Sequence, residues 1–195
     1  SGSSNSDGIT NIATVNVTGL ESGATWQYST DNGSTWNTGS GTSFTLSEAS
    51  YSANTIQVKQ TDTAGNVSSV GKIASAITVD QTVATPSLAL ATDSGSSNSD
   101  GITNIATVNV TGLELGATWE YKVDGGSWTA GAGTSFNATA GSHTYSVRQT
   151  DSAGNVSIAS TNVTYNLDTT APACTITDNV SATTATGTIT YTFTF

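Results

Sequence analysis

Acidic residues in turn-rich segments are the side chains of this sequence whose types and spacing suit chemistry. The chain has 14 Asp and Glu residues against four Lys and Arg, which gives a formal charge of −10. Several aspartates stand among Gly, Ser and Asn, in stretches that predict loops or linkers. They are Asp7, Asp62, Asp80, Asp93, Asp100, Asp151 and Asp168. Carboxylate, amide and main-chain oxygens that converge without a nearby cation are the ligands Ca²⁺ prefers, so the sequence predicts calcium sites.

Other kinds of site have little support in the composition. His143 is the single histidine and Cys174 the single cysteine, so we expect neither a zinc site, nor a catalytic triad, nor an intrachain disulfide. We therefore predict a protein that is not an enzyme. The acidic charge and the scarcity of Lys and Arg argue against nucleic-acid partners, and no apolar stretch predicts direct membrane insertion.

A long internal repeat determines the organisation of the chain. Residues 1–23 recur at 94–116 with one difference, and the sequence TDTAGN at 61–66 recurs as TDSAGN at 150–155. The repeat predicts one unit over 1–80, a second over 81–167 and the start of a third, truncated unit of another subtype over 168–195. Residues 86–93 have no counterpart before residue 1, so the first unit is expected to lack its first strand.

The residue pattern of each unit is typical of β-structure. Ala13, Val15 and Val17 alternate with polar residues, and residues 31–33 (Asp-Asn-Gly) predict a hairpin turn. No window has helical apolar spacing. Six or seven short strands per unit indicate an all-β fold of tandem immunoglobulin-like antiparallel sandwiches arranged end to end. Trp26 and Trp119 are expected in the cores, with Trp36 and Trp128 as partners across the following hairpin.

Several motifs together resemble those of a known family. They are SDGITN, VTGLExGATWxY, GTSF, QTDxAGNVS and a DxT at Asp80 and Asp168, and they cover both units and the linker. The set is similar to the bacterial Ig-like repeats in the extender regions of giant adhesins, the RTX and biofilm-associated surface proteins secreted by type I systems. The resemblance implies stacked neighbouring repeats stiffened by calcium at their junctions. It also implies an extracellular location on the bacterial cell surface, with distal domains that contact a host or neighbouring cell.

The topology of a sandwich predicts which acidic loops can meet. The loop between the last two strands lies at the pole where the chain enters, so the loop at 150–155 should face the linker. The first predicted calcium site comprises Asp80, Asp151, Asn155, Glu114 and Asp7. The second begins with Asp168, Asp100 and Asp93. Asp62 and Glu21 should face a preceding unit, whereas Asp31, Asp124 and Asp178 should only cap turns.

Three functions from different classes fit these observations. The first is a structural extender that supports cell adhesion and biofilm formation. The second is a module that itself binds carbohydrate or a cell surface, and solvent-exposed Trp36 and Trp128 on a flat face would favour it. The third is an accessory domain of a surface enzyme or phage fibre. The near-identity of the two units favours the extender, because an array needs equivalent spacers.

Overall fold

The computed structural model describes residue 2, residues 4–179, 187–188 and 190–194, and all regular structure in these ranges is β-strand. We call residues 1–80 copy 1 and residues 81–167 copy 2. The prediction of an all-β, immunoglobulin-like architecture is confirmed. Within the same ranges, no helix has the length and apolarity needed to cross a membrane.

Copy 1 is built from nine short strands in the described ranges. These are β1 Ile9–Thr10, β2 Thr14–Asn16, β3 Thr25–Ser29, β4 Asn37–Thr38, β5 Ser43–Thr45, β6 Ala49–Tyr51, β7 Gln57–Thr61, β8 Gly71–Lys72 and β9 Ile77–Val79. One layer contains β2 paired with β5. The opposite layer contains the four strands β4-β3-β7-β8, and β1-β9-β6 continues the fold.

Copy 2 contains eight strands and more continuous sheets. These are β10 Ser87–Leu90, β11 Ile102–Thr103, β12 Thr107–Thr111, β13 Thr118–Val123, β14 Thr129–Ala130, β15 Ser135–Asn137, β16 Gly141–Thr150 and β17 Val163–Leu167. One sheet has the order β10-β12-β15 and the other β11-β17-β16-β13-β14. The single strand β16 takes the place that β6 and β7 share in copy 1, and none of the described strands of copy 1 corresponds to β10.

Each copy has a core in which alternation places apolar side chains between the layers. Ala13 and Val17 are buried, Val15 packs against the same cluster, and the predicted inward face of β2 is confirmed. Trp26 and Trp119 are buried as predicted, and each indole Nε1 donates to a main-chain carbonyl in the following hairpin.

The turn over residues 31–33 forms as its sequence predicts. Asn32 and Gly33 both have positive φ, a conformation that Asn and Gly tolerate best. The Asp31 carboxylate accepts hydrogen bonds from Ser29 Oγ and the Thr35 main-chain N–H. Together with the Thr35 hydroxyl, these bonds lower the pKa of Asp31 to about 2. Asp31 therefore stabilises the turn, as expected for a capping residue.

The chain continues beyond copy 2 into an antiparallel pair, β18 Thr175–Asp178 and β19 Tyr191–Thr194. Both strands are exposed along their length. Residues 180–186, 189 and 195, which belong to the predicted third unit, lie outside the described ranges.

Candidate functional site

The segment between the copies, residues 80–84, is bound through its main chain by copy 2. We call it the junction segment. Asn155 donates from Nδ2 to the carbonyl oxygen of Asp80 at 2.9 Å and lies 3.4 Å from that of Thr82. These contacts join the 150–155 loop to the chain that enters copy 2, which is where the topology places that loop.

The end of the junction segment is held by two further side chains. Glu114 accepts a hydrogen bond from the Ala84 main-chain N–H at 2.7 Å, and Gln149 Nε2 donates to the Ala84 carbonyl at 2.9 Å. Gln149 also accepts from the Glu114 N–H and donates to the Gly112 carbonyl. Because Gln149 is fully buried, these three bonds satisfy its amide and lock the segment to the sheet.

The 150–155 loop is organised around a buried carboxylate. Asp151 is only 4% exposed, and its two oxygens accept from the Asn155 main-chain N–H and from Asn155 Nδ2 at 2.8 and 2.7 Å. A buried carboxylate requires such donors, because burial without them is costly. The loop therefore presents Asn155 to the junction segment in a fixed position.

The N-terminal segment of copy 1 also touches this loop. Gly2 lies so close to the main chain of Ser152 and Ala153 that a Cβ at Gly2 would collide with it, and a Cβ at Gly154 would in turn come within 3.1 Å of the Gly2 Cα. Ala153 is fully buried. Contact between the copies therefore extends beyond the junction segment to the tip of the loop.

Copy 1 carries the same constellation, which no described segment of the chain contacts in the way that the junction segment contacts copy 2. Asp62 accepts from the Asn66 main-chain N–H and Nδ2, and Gln60 bonds to Glu21 N–H and the Gly19 carbonyl. The side-chain and main-chain hydrogen bonds from Asn66 lower the pKa of Asp62. Glu21, Gln60, Asp62 and Asn66 line an open cavity of about 120 Å³. We call these four residues, and their equivalents Glu114, Gln149, Asp151 and Asn155, the entry-pole residues.

The predicted ligands of the first calcium site are only partly brought together. Asp151, Asn155 and Glu114 converge on the junction segment, whose own Asp80 donates its N–H to Thr10 and accepts from Thr82 N–H. Asp7 is exposed, accepts a hydrogen bond from the Ile9 N–H and lines a separate small cavity near Ile77.

The residues of the second predicted site lie around the β11–β17 pair. Asp93 and Asp100 line one cavity of about 470 Å³. Asp93 Oδ2 accepts from Gly101 N–H, whereas Oδ1 is buried without a hydrogen-bond partner in the described structure. Asp168 is exposed, and its N–H donates to the carbonyl of Thr103.

The described residues contain no group of three or more His, Cys, Asp or Glu side chains placed to hold a metal ion. Any cation at these sites would therefore depend on amide and main-chain oxygens as much as on carboxylates. Ca²⁺ accepts such ligands, whereas a zinc site requires His, Cys or carboxylate side chains.

The second tryptophan of each copy lies beneath basic side chains. Lys59 Nζ is 4.0 Å from the ring centre of Trp36, and Lys122 and Arg148 lie 4.9 and 4.3 Å from that of Trp128. Both indoles are half-buried. Each indole makes a cation–π contact with a basic side chain, so neither is the fully exposed aromatic surface that would favour the carbohydrate hypothesis.

Two features were missed from the sequence. Gln149 is uncharged, so the pattern of acidic residues does not mark it as a junction residue. Its recurrence as Gln60, directly before each TDxAGN motif, is the sequence signal that does. Asp124 does more than cap a turn, since it pairs with His143 at 2.7 Å. This hydrogen bond raises the pKa of His143, and the Thr144 N–H and His143 lower the pKa of Asp124.

Comparison with known proteins agrees with this architecture. Residues 78–169 match the model of a family described as "Bacterial Ig-like domain". The match spans copy 2 and the junction segment. This part of the chain is therefore similar to bacterial Ig-like domains.

A solved structure described as "Structures of Clostridium thermocellum CbhA fibronectin(III)-like modules" is similar at 16% sequence identity and a TM-score of 0.38. The alignment covers 82% of this chain and 87% of that one. No curated protein matches the sequence. The Ig-like fold is that of a structural or binding module.

Proposed function

We propose that this chain is a structural extender of a bacterial cell-surface adhesin, in which neighbouring Ig-like repeats are held at a fixed relative orientation. Its role is to project a distal binding domain that contacts a host or neighbouring cell and supports biofilm formation. The observation that carries the proposal is the capture of the junction segment by Glu114, Gln149 and Asn155. A spacer needs a stiff connection, and a main chain bonded on both its N–H and C=O groups has little freedom to bend.

Recurrence of the entry-pole residues supports the extender over a single binding site. Glu21, Gln60, Asp62 and Asn66 repeat Glu114, Gln149, Asp151 and Asn155 in residue type, and the Gln, Asp and Asn also repeat in spacing. A junction that must form at every repeat needs the same residues in each one, whereas a ligand site need occur only once. The cation–π cover of Trp36 and Trp128 removes the main support for sugar stacking.

We include Ca²⁺ in the proposal as a fastening of the junction that would take the place of the Asn155 Nδ2 hydrogen bonds. Three oxygen atoms, the carbonyls of Asp80 and Thr82 and Oδ2 of Asp151, surround Asn155 Nδ2 at 2.7 to 3.4 Å. A cation would fit this set if Asn155 turned its Oδ1 inward, with the carboxylates of Asp80 and Glu114 as further ligands. Ca²⁺ takes six to eight oxygen ligands, and main-chain carbonyls and carboxylates are among those it prefers.

The same proposal extends to the other end of copy 2. The buried Oδ1 of Asp93 has no hydrogen-bond partner in the described structure, and Asp100 lines the same cavity. A cation there would satisfy that oxygen. Asp168 begins the next segment, in which the DxT of residues 80–82 recurs at 168–170, and its N–H bonds to the Thr103 carbonyl as that of Asp80 bonds to Thr10.

Thermal melting in CaCl₂ and in EGTA tests the calcium fastening. Extracellular modules bind Ca²⁺ at about 0.1 to 1 mM, and a hundredfold excess adds about 2.7 kcal/mol to the folded state. For a copy of this size we expect chelation to lower the Tm by about 10 °C. We expect Asp80→Ala to abolish most of that difference.

The substitution Asn155→Asp separates an ion from a simple hydrogen-bonded junction. A carboxylate at 155 removes the Nδ2 donor but adds a ligand, so we expect a lower Tm in EGTA and recovery in CaCl₂. Asn66→Asp, in the exposed loop of copy 1, is the matched control and should show a smaller response. An Asn155→Asp loss of Tm that CaCl₂ does not reverse, or a wild-type Tm that ignores EGTA, would contradict the calcium fastening.

A further inference from the structure

His143 connects two turns at the end of copy 2 from which the chain continues. Its Nδ1 lies 2.7 Å from Oδ2 of Asp124, in the turn after β13, and its Nε2 lies 3.1 Å from the carbonyl oxygen of Ala140, in the turn before β16. Strand β16 begins beside the end of β17, since Gly141 pairs with Leu167. We call this end of copy 2 its exit pole.

Both partners of the imidazole ring are hydrogen-bond acceptors. A carboxylate and a main-chain carbonyl have no hydrogen to donate, so each ring nitrogen must carry one. Neutral histidine has a hydrogen on only one nitrogen, and the other nitrogen would then present a lone pair to an oxygen. The geometry is therefore satisfied only by the imidazolium form of His143.

Asp124 is held in place by bonds of its own. Its Oδ1 accepts from the Thr144 N–H at 2.8 Å, and its N–H donates to the Thr144 carbonyl, also at 2.8 Å. Its φ of 51° lies in the left-handed region, which Asp and Asn adopt more readily than most residues. The carboxylate therefore faces His143 from a position that the main chain determines.

Copy 1 has asparagines at the two equivalent positions. Asn32 also has a left-handed φ, 61°, and donates its N–H to the carbonyl of Thr55. Asn54 directly precedes Thr55, as the histidine precedes Thr144 in copy 2. Amide side chains do not titrate, so these two positions of copy 1 carry no ionisable pair.

The charged partner that faces the ring is Asp124. Tyr145, on the same strand, meets the imidazole edge-on with ring centres 6.5 Å apart. Tyr165 is the register partner of His143 on β17, and burial raises the pKa of this tyrosine, so its hydroxyl stays neutral. The acidic residues that line a cavity together with Tyr165 are Asp93 and Asp100.

We propose that His143 is a pH-dependent link between two turns at the exit pole of copy 2, which holds them together as an imidazolium and releases the turn before β16 when it loses a proton. The proton leaves to water from Nε2, because the Nδ1–H keeps its bond to the carboxylate of Asp124. Nε2 then directs a lone pair at the Ala140 carbonyl, and the two acceptors separate. The inference concerns copy 2 by itself and does not depend on the junction segment or on a bound cation.

The direction of the pH dependence follows from the two side chains. The hydrogen bonds to Asp124 and Ala140 raise the pKa of His143 above its ordinary value of 6.5. The stabilisation by the imidazolium is therefore complete below about pH 6.5 and is lost as the pH rises through the pKa of the folded chain. The Thr144 N–H and His143 lower the pKa of Asp124 below 3.8, so the carboxylate stays charged throughout mildly acidic solution.

The protonation state of the ring can be measured directly, because His143 is the single histidine of the sequence. In ¹H–¹⁵N spectra of the 195-residue chain, the ring nitrogens should both have the shifts of protonated nitrogen at about pH 6. The titration midpoint should lie above that of the peptide Gly-Ser-His-Thr-Tyr, and Asp124→Asn should lower it towards the peptide. This variant should fold, because asparagine occupies the same turn position in copy 1.

Amide hydrogen exchange tests the release of the turn. The Thr139 N–H lies in that turn and is bonded to the Tyr145 hydroxyl. We expect its protection factor, which corrects for the intrinsic effect of pH, to fall at least about threefold between about pH 6 and pH 9. The protection factor of Asn32 in copy 1 should stay constant, and His143→Asn should remove the pH dependence at Thr139.

Four outcomes would overturn the proposal. The first two are a ring with only one protonated nitrogen at about pH 6 and a titration midpoint no higher than that of the peptide. The other two are a protection factor of Thr139 that does not change with pH in the unsubstituted chain, and a change that persists in His143→Asn.

Discussion

Gln149 connects the junction segment to the sheet of copy 2 through a single buried amide. Its Oε1 accepts from Glu114 N–H, and its Nε2 donates to the carbonyls of Ala84 and Gly112. An amide suits this position because it carries a donor and an acceptor, which main-chain recognition needs together. A carboxylate at the same place would repel both carbonyls.

We predict that Gln149→Leu destabilises copy 2 by about 3 kcal/mol, measured as the free energy of unfolding in urea. Leucine fills a similar volume but leaves three buried main-chain groups without partners, each costing about 1 to 3 kcal/mol. Gln60→Leu is the matched control and should cost about 1 kcal/mol, since water reaches its surroundings. Equal losses in the two copies would contradict the role assigned to the junction segment.

Sequence reasoning at the residue scale identified the acidic members of the junction but not the amide at its centre. Asp151, Asn155 and Glu114 stand out by charge or by motif, and the topology of a sandwich places them near the linker. Gln149 lies inside a strand, where its side chain reads as one polar residue of an alternating pattern. Only the paired register of the strands reveals that it points to the pole.

The hairpins of the two copies depend on glycines that lie against the core tryptophans. Gly131 donates its N–H to the Trp119 carbonyl, and Gly39 makes the same bond to Trp26. A Cβ at either glycine would collide with the indole ring. Neither glycine has positive φ, so the requirement is one of space and not of backbone conformation.

We predict that Gly131→Ala costs copy 2 about 2 kcal/mol of unfolding free energy, because the methyl group forces the ring out of its packed position. Gly39→Ala should cost copy 1 a similar amount. Ser127→Ala, an exposed change in the same hairpin, is the control and should stay within about 0.5 kcal/mol. A loss at Gly131 no larger than that of the control would contradict the assigned contact.

At the scale of elements, the strands and turns followed from period-two alternation and from Asn-Gly chemistry, which are local signals. The different strand divisions of the two copies could not be predicted from these local signals. Copy 1 has β6 and β7 where copy 2 has the continuous β16, although the surrounding motifs repeat closely. The insertion near residues 52–55 is visible in the alignment of the repeats, but its effect on pairing depends on neighbouring strands.

In the whole molecule, two Ig-like copies are joined by the junction segment, which is hydrogen-bonded to copy 2. The contacts that matter form between residues far apart in sequence, such as Asn155 with Asp80. The repeat predicts that these contacts recur, and the fold places them at one pole. Neither the repeat nor the fold gives the stiffness of the junction segment. That stiffness must be measured as the spread of distances between the two copies.

The most direct measurement is the distance distribution between spin labels at Thr38→Cys and Thr129→Cys, two exposed strand positions in different copies, with Cys174→Ser to remove the native thiol. In CaCl₂ we predict one narrow population. Asn155→Ala should broaden it, and Asn66→Ala should not. A broad distribution in the unsubstituted chain, or one that Asn155→Ala leaves unchanged, would contradict the claim that the captured junction segment holds the copies in a fixed orientation.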